Sequence, residues 1–162
     1  MANIYLLEDV KKSSEKKLFT VFSLFAGGGG SSTGYKLAGG SILGVNEFID
    51  SARQTYLANY PETLIFPDDI RRLDCCEILN KLKLNIKDLD ILDGSPPCAS
   101  FSTAGKIDKL WGKVKPYSET KQRTDDLFDE YIRICFGLLP KVFIAENVKG
   151  LSLGKSKPYL KK

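Results

Sequence analysis

The chain of 162 residues contains no histidine, and its four cysteines show no spacing typical of a zinc site. Without histidine neither a Ser-His nor a Cys-His catalytic pair can form, which excludes hydrolases of both types. A disulfide framework and a metal site are not expected either. We interpret Cys75, Cys76 and Cys135 as structural residues, whereas Cys98 lies in a distinctive turn.

Long apolar segments are also missing. No run approaches the roughly 18 residues needed to span a membrane, and the N-terminus has no hydrophobic signal core. A hydrophobic content of 43% with 27% charged residues is typical of a soluble globular chain of about one domain. We therefore expect a cytoplasmic protein with no membrane partner. Residues 1–17 form a charged leader, whose segment 11–17 should be solvated and mobile.

Apolar runs and helical periodicities alternate along the remaining residues. Strands are predicted at about 19–25, 41–46, 64–66, 89–93 and 141–146, and helices near 31–38, 51–59, 75–84 and 125–139. Strands that alternate with helices predict an α/β fold, with a Rossmann-like and mostly parallel sheet flanked by helices.

Three chemically different groups follow strands of this predicted sheet. The first strand runs into a glycine loop at 26–30, the fourth into the turn at 95–98, and the fifth into Glu146. The second segment reads Ser-Pro-Pro-Cys, and its two prolines make the turn stiff just before the thiol of Cys98. Because ligands bind outside the carboxyl ends of strands in open α/β sheets, these groups predict one active site.

Two nucleotide-binding motifs are disfavoured by particular residues. Gly29 to Gly34 has the spacing of a phosphate-binding loop, but Tyr35 stands where its lysine should be. The third glycine of a dinucleotide fingerprint would fall on Ser32 or Thr33. A kinase, an ATPase or an NAD enzyme is therefore not expected.

The same segments resemble the DNA cytosine-5 methyltransferase family. Residues 25–30 resemble its Phe-x-Gly-x-Gly cofactor loop, residues 95–102 resemble its catalytic Pro-Cys motif, and residues 146–148 match its Glu-Asn-Val motif. The resemblance covers about 19–152. It implies the fold of S-adenosylmethionine-dependent methyltransferases, with residues 18–162 as a partial catalytic domain.

The chain departs from the family's pattern after Val148. No later segment resembles the motifs that supply a catalytic arginine, the target-recognition domain and the C-terminal element of the cofactor pocket. We therefore expect a sheet truncated before its last strands and no target-recognition domain. The strand at 141–146 should then be an exposed edge.

The resemblance implies S-adenosylmethionine as the cofactor. Glycines after a strand leave amides free at a helix start, where they can donate to the cofactor's carboxylate. Glu47 is expected to accept the ribose hydroxyls, Phe48 to lie against the adenine, and Asp69 to lie near the adenine amino group. For both acids, a solvated loop position is the alternative, and Asp68 competes with Asp69 for the role near the adenine. The candidate cofactor-binding residues are Phe25, Ala26, Gly27, Gly29, Gly30, Glu47, Phe48, Asp69 and Leu127.

Two residues are expected to perform the chemistry. Attack of the Cys98 thiolate at C6 of cytosine would make C5 an enamine-like carbon that can accept a methyl group. Glu146 would hydrogen-bond the pyrimidine edge near N3 and stabilise the charge that develops on the ring. The base must leave the duplex for this reaction, so base flipping is implied.

Residues 103–123 form a basic loop with a net charge of +4, equal to that of the whole chain. It resembles the family's mobile loop that closes over DNA, so double-stranded DNA is the expected partner. The candidate DNA contacts are Ser102, Lys106, Lys109, Lys113 and Lys115. A flexible surface loop without a role is the alternative.

Several interpretations of the whole chain are open at this point. It is a fragment of an ordinary DNA methyltransferase, a subunit of a split enzyme whose second polypeptide supplies the C-terminal motifs, or a non-catalytic protein that keeps the cofactor site. A relative that methylates cytosine in tRNA is an alternative at the level of the substrate. Intact Cys98 and Glu146 argue against loss of catalysis.

Overall fold

The computed structural model describes residues 5–97, 115–117, 120–122 and 126–146, with only the backbone given for the two short internal segments. The helices in these ranges are α1 (Leu7–Ser14), α2 (Gly30–Leu37), α3 (Asp50–Asn59), α4 (Cys75–Leu82) and α5 (Leu127–Leu138), with a short 3₁₀ helix at Ile70–Arg72. The strands are β1 (Phe19–Leu24), β2 (Gly40–Asn46), β3 (Ile65–Phe66), β4 (Ile91–Gly94), β5 (Lys115–Tyr117), β6 (Thr120–Gln122) and β7 (Val142–Ala145).

Five of these strands form a parallel sheet in the order β3-β2-β1-β4-β7. Leu24 lies opposite Asn46 on one side and Gly94 on the other, and Gly94 lies opposite Ala145. The carboxyl ends of four strands therefore meet at one edge of the sheet. This register brings the glycine loop, the residues before Cys98 and Glu146 to the same edge. The predicted Rossmann-like α/β fold is confirmed.

A hydrophobic core covers each face of the sheet. On one face, Phe22 and Leu92 pack with Tyr131 and Ile134 of α5 and Ile78 of α4. The residues from α5 recur at helical spacing, so one side of this helix faces the sheet. On the other face, Val45 and Ala26 pack with residues of α1 and α3. Cover on both faces is what a parallel sheet requires.

Local sequence accounts for where α4 begins and ends. Asp74 caps the first turn, because its Oδ1 accepts a hydrogen bond from the Glu77 amide at 2.9 Å. Lys83 ends the helix in the left-handed conformation, with φ of 57°. The helix buries Ile78 against the sheet.

The charged leader contains a helix that was not predicted. Residues 7–14 form α1, and Val10 is 1% exposed in the core beside Tyr56 and Tyr60. The Ser14 hydroxyl also donates to the Gly40 carbonyl at 2.8 Å. Residues 11–17, the segment expected to be solvated, are exposed or half-buried. The side chain that packs against the domain is Val10, which comes just before that segment.

The other predicted elements agree with the observed ones within a few residues. The 3₁₀ helix and the antiparallel pair β5–β6, which lies inside the segment predicted as a basic loop, were not predicted. At the far side of the sheet, β7 has no outer partner among the described strands, as the expectation of an exposed edge requires. Its apolar residues Val142, Phe143 and Ile144 are 41–56% exposed.

Candidate active site

A cavity of about 440 Å³ opens at the carboxyl edge of the sheet. Six of the predicted cofactor residues line it: Phe25, Gly27, Glu47, Phe48, Asp69 and Leu127. Ser95 and Pro97, from the turn that leads to Cys98, complete the same wall. The cavity therefore joins the predicted cofactor residues to the start of the predicted nucleophile turn.

Glu47 is the buried acid of this cavity, with 7% of its surface exposed. Its Oε2 accepts a hydrogen bond from the Gly27 amide at 2.7 Å, and its Oε1 accepts one from the Ile49 amide at 2.8 Å. The carboxylate thus holds the glycine loop against the end of β2. Each oxygen retains a second acceptor position, so the group can still bind hydroxyl donors from the cavity.

The glycine loop has a different role at each position. Gly27 lines the cavity, whereas Ala26, Gly29 and Gly30 lie outside its lining. Ala26 is buried in the core beside Tyr56. Gly29 caps α2 with φ of 95°, and an added Cβ would lie 3.1 Å from ring atoms of Tyr56 and Tyr60. Tight packing and a positive φ therefore explain this glycine without a ligand.

Phe25 adopts a left-handed backbone with φ of 56°, which is strained for an aromatic residue. This conformation turns the chain directly after β1, and Phe25 lies in the cavity wall. Phe48 lies in the same wall and is 38% exposed. The two residues give the cavity aromatic surface at two different strand ends.

Asp69 and Leu127 are far apart in the sequence but line the same cavity. Asp69 caps the 3₁₀ helix by accepting from the Arg71 amide at 3.0 Å. The Arg71 side chain bonds both Asp69 and Asp126, the residue before α5. The hydrogen bond to Asp126 raises the pKa of Arg71. Burial acts in the opposite direction, and the negative charge of Asp69 adds to the increase. Leu127 itself is 3% exposed.

A buried polar cluster lies under the turn that leads to Cys98. Asp93 is 5% exposed, and its carboxylate accepts hydrogen bonds from the Ser23 hydroxyl at 2.9 Å and the Tyr35 hydroxyl at 3.1 Å. Burial and, secondly, the charge of Asp93 raise the pKa of Tyr35, so this hydroxyl stays a donor. The cluster joins β1, α2 and β4 immediately before Gly94 and Ser95.

Glu146 lies beside the same turn. Its amide donates to the Gly94 carbonyl at 3.1 Å, which continues the pairing of β7 with β4. Tyr131 of α5 braces the two strands, because its hydroxyl lies 3.2 Å from the Leu92 carbonyl and 3.1 Å from the Ile144 carbonyl. The Glu146 side chain is exposed at this edge.

Other predicted site residues lie outside the described part of the chain. These are Cys98, Ser102, Lys106, Lys109 and Lys113, and only the backbone of Lys115 is described, in β5. Their roles remain predictions. Within the described ranges, no group of three potential metal-ligating side chains is found, and no helix is long and apolar enough to cross a membrane.

The cavity also contains residues that were not predicted. Asn46 is 2% exposed, and its amide donates to the carbonyls of Phe66 and Asp68, so it shapes the loop that carries Asp69. Ile49 and Thr55 line the cavity beside Glu47 and Phe48. For Asn46 a signal was present, since a buried polar residue at the end of a strand is typical of a site edge. Ile49 directly precedes α3 and Thr55 lies within that helix. Neither residue is a buried polar residue at the end of a strand, so the sequence did not indicate them.

Two kinds of comparison describe what the chain is similar to in sequence. The model of the family C-5 cytosine-specific DNA methylase matches residues 19–162. Type II methyltransferase M.DdeI of Desulfomicrobium norvegicum is 37% identical over 138 residues, covering 85% of this chain and 29% of the relative. Type II methyltransferase M.AquIA of a Picosynechococcus species is 37% identical over 137 residues, covering 85% of this chain and 50% of the relative. The chain thus spans half or less of the length of these relatives.

Solved structures agree with the sequence matches. A DNA modification methyltransferase encoded within an E. coli prophage superposes with a TM-score of 0.69 at 27% identity. The match covers 88% of this chain and 36% of the E. coli chain. Dnmt2 of Spodoptera frugiperda shares the fold, with a TM-score of 0.58 at 24% identity. The matched sequence, the strand order and the residues gathered at one sheet edge lead to one conclusion: the chain belongs to the C-5 cytosine-specific DNA methylase family.

Proposed function

We propose that this chain is the cofactor-binding and catalytic part of an enzyme that transfers a methyl group from S-adenosylmethionine to C5 of cytosine in double-stranded DNA. One observation carries the proposal: a single cavity gathers six predicted cofactor residues and the start of the Pro-Pro-Cys turn in a chain of this family. The family model that matches the chain is that of DNA methylases, so a DNA substrate is favoured over tRNA. A cytoplasmic location is part of the proposal.

The donors and acceptors in the cavity fit S-adenosylmethionine. The free acceptor positions of Glu47 suit the ribose hydroxyls, and Asp69 suits the exocyclic amine of adenine. Phe25 and Phe48 offer aromatic surface for the adenine ring. When bound, the cofactor supplies a methyl group on a sulfonium. Ser95 and Pro97 would place the nucleophile turn beside that end of the cavity.

Cys98 is the proposed nucleophile. Its thiolate would add to C6 of a flipped cytosine, and the electron pair of the C5–C6 double bond would move to C5, which then takes the methyl group. Loss of the C5 proton and expulsion of the Cys98 thiolate would restore the aromatic ring and the free enzyme. The buried Asp93 cluster supports this role by fixing the strand end from which the turn departs.

Glu146 is the proposed partner of the pyrimidine ring. Its backbone is fixed beside Gly94, four residues before Cys98, while its side chain extends from the sheet edge. A carboxyl group there could hydrogen-bond the pyrimidine near N3 and offset the charge that develops when the thiolate adds. Strand pairing thus supports a common site for Glu146 and Cys98.

The basic segment is the proposed contact to DNA phosphates. Lysines at 106, 109, 113 and 115 follow the nucleophile turn directly in the sequence. Neutralising all four should weaken DNA binding and reduce the slope of log affinity against log salt, since fewer counterions are released. An unchanged slope would contradict this contact.

We also include in the proposal that activity needs the part of the relatives that this chain does not match, either from the same polypeptide or from a second one. The exposed apolar residues of β7 support this idea, together with Phe136 of α5 (73% exposed) and Leu139 directly after that helix (40% exposed). Exposed apolar surface next to a strand edge is typical of an interface. DNA methylation by residues 1–162 with no added polypeptide would contradict it.

Covalent capture tests the function itself. Duplex DNA with 5-fluorocytosine at the target, incubated with S-adenosylmethionine, traps the thiolate adduct because fluorine cannot leave as the proton does. With the part of the relatives that residues 1–162 do not match supplied, we expect capture by the unchanged protein and by the control Cys76→Ala, whose cysteine is exposed on α4, and none by Cys98→Ala. Undiminished capture by Cys98→Ala would remove Cys98 as the nucleophile. No capture by the unchanged protein when that part is supplied would contradict the proposed reaction.

A further inference from the structure

Arg71 bridges Asp69, two residues before it, and Asp126, which lies 55 positions after it in the chain. Its Nη1 donates to Asp69 Oδ2 at 2.8 Å and Oδ1 at 3.1 Å, while Nη2 and Nε donate to Asp126 at 2.7 and 3.0 Å. All three side chains are 22–32% exposed, so the bridge is partly accessible to solvent and is not part of the buried core. Both carboxylates are engaged by one guanidinium.

The bridge joins two walls of the cavity. Asp69 follows β3 and lines the cavity itself, whereas Asp126 immediately precedes Leu127, which lines the cavity from α5. Without a cation between them, the two carboxylates would repel each other. Arg71 therefore sets the separation of the two walls as well as the orientation of Asp69.

The geometry leaves Asp69 able to bind a ligand. Its Oδ1 accepts from the Arg71 amide and from Nη1, whereas its Oδ2 accepts from Nη1 alone. A carboxylate oxygen has about two acceptor positions, so Oδ2 keeps one for an N–H donor in the cavity. An amine fits this position, and a carbonyl oxygen at the same place would be repelled.

A second set of contacts keeps α5 in place independently of Arg71. Arg133 donates to the Ile70 carbonyl at 2.8 Å and to the Leu73 carbonyl at 3.0 Å. Leu127, Tyr131 and Ile134 also bury α5 against the sheet. The fold should therefore survive loss of the Arg71 bridge, while the position of Asp69 should not.

We propose that Arg71 is a positioning residue for the nucleoside end of the cofactor: by bridging Asp69 and Asp126 it aims Asp69 at a 6-amino group and so selects adenine over a 6-oxo purine. The inference rests on the proposed S-adenosylmethionine site. Lysine cannot replace arginine here, because a single ammonium lacks the planar fork that engages two carboxylates at once.

Calorimetry with two ligands tests the inference. The probes are S-adenosylhomocysteine and S-inosylhomocysteine, in which a carbonyl replaces the adenine amine. The full-length protein should prefer the adenosine compound by about 10- to 100-fold, because the 6-oxo compound loses one hydrogen bond to a charged acceptor. Arg71→Gln and Arg71→Lys should both reduce this preference to less than about 3-fold. The matched control is Arg72→Gln, whose arginine is exposed and next in sequence.

Each outcome decides between the alternatives. A preference that stays at its original value in Arg71→Gln, even if both affinities fall together, would show that Arg71 only supports the fold and would overturn the inference. Binding of neither compound by the unchanged protein would instead contradict the cofactor site on which the inference rests. Thermal unfolding of each variant confirms that it is folded at the temperature of the titration.

Discussion

Replacing Glu47 with glutamine tests the tether of the glycine loop. The carboxylate accepts one amide on each oxygen, from Gly27 and Ile49, and it is 7% exposed. Glutamine has nearly the same shape but only one acceptor oxygen, so its NH₂ group would face one of the two amides. One hydrogen bond to a charged group would be lost and one buried donor would be left without a partner.

The cost can be worked out from these contacts. A hydrogen bond to a charged group contributes about 1.5–3 kcal/mol, and partial relaxation of the loop would recover some of the unpaired donor's penalty, so we expect Glu47→Gln to lower the free energy of unfolding by about 2–3 kcal/mol. For a chain of this size that corresponds to a decrease in Tm of roughly 4–12 °C. Affinity for S-adenosylmethionine should fall by about 10- to 100-fold, since the ribose hydroxyls lose a charged acceptor.

Urea unfolding and calorimetric titration with S-adenosylmethionine would measure the two effects. The control is Glu62→Gln, which removes the same charge from an exposed position in the loop before β3. We expect the control to match the unchanged protein in both assays. A Glu47→Gln protein with unchanged stability would refute the tether. A destabilised variant with unchanged affinity would refute contact between Glu47 and the ribose.

Two further predictions concern stability. Gly94→Ala should lower the free energy of unfolding by about 1–3 kcal/mol. An added Cβ would lie 2.6 Å from Cε2 of Tyr131, and that ring is held in place because its hydroxyl contacts two strands. An unchanged urea midpoint would contradict this packing. Asp90→Asn should show a pH-dependent loss. The Lys141 hydrogen bond and the bonds from Thr20 lower the pKa of Asp90, so its contribution is present above the unfolded pKa of about 3.9 and disappears as the pH falls through the folded value. We expect a deficit of about 1 kcal/mol at pH 7 that shrinks as the pH falls through the folded pKa of Asp90. A deficit that is constant with pH would show that charge plays no part.

The sequence predicted the edge of the sheet well. Glycine and proline residues follow β1 and β4, and the short apolar runs before them are typical of buried strands. The positions of residues 26–30 and 95–98 at strand ends could therefore be inferred. Parallel pairing then required that Glu47, Asp69 and Glu146 lie at the same edge. These inferences depend on local pattern and topology only.

Contacts between distant segments could not be inferred in the same way. The hydrogen bond between Glu47 and the Gly27 amide depends on the three-dimensional path of the loop, and Arg71 contacts Asp126 across 55 residues. Helix α1 was missed because its apolar residue Val10 stands among charges, and only tertiary packing reveals its partner. The role of Cys98 remains a prediction, since it lies outside the described ranges.

Helix α1 has a consequence for where the folding unit begins. The family match starts at residue 19, yet Val10 lies in the same core as Tyr56 and Tyr60, the residues that pack on Gly29. A version of the protein cut at the start of the family match would open this core directly behind the glycine loop. The family match and the packed core therefore begin at different residues. Experiments on the isolated domain should use a chain that includes helix α1.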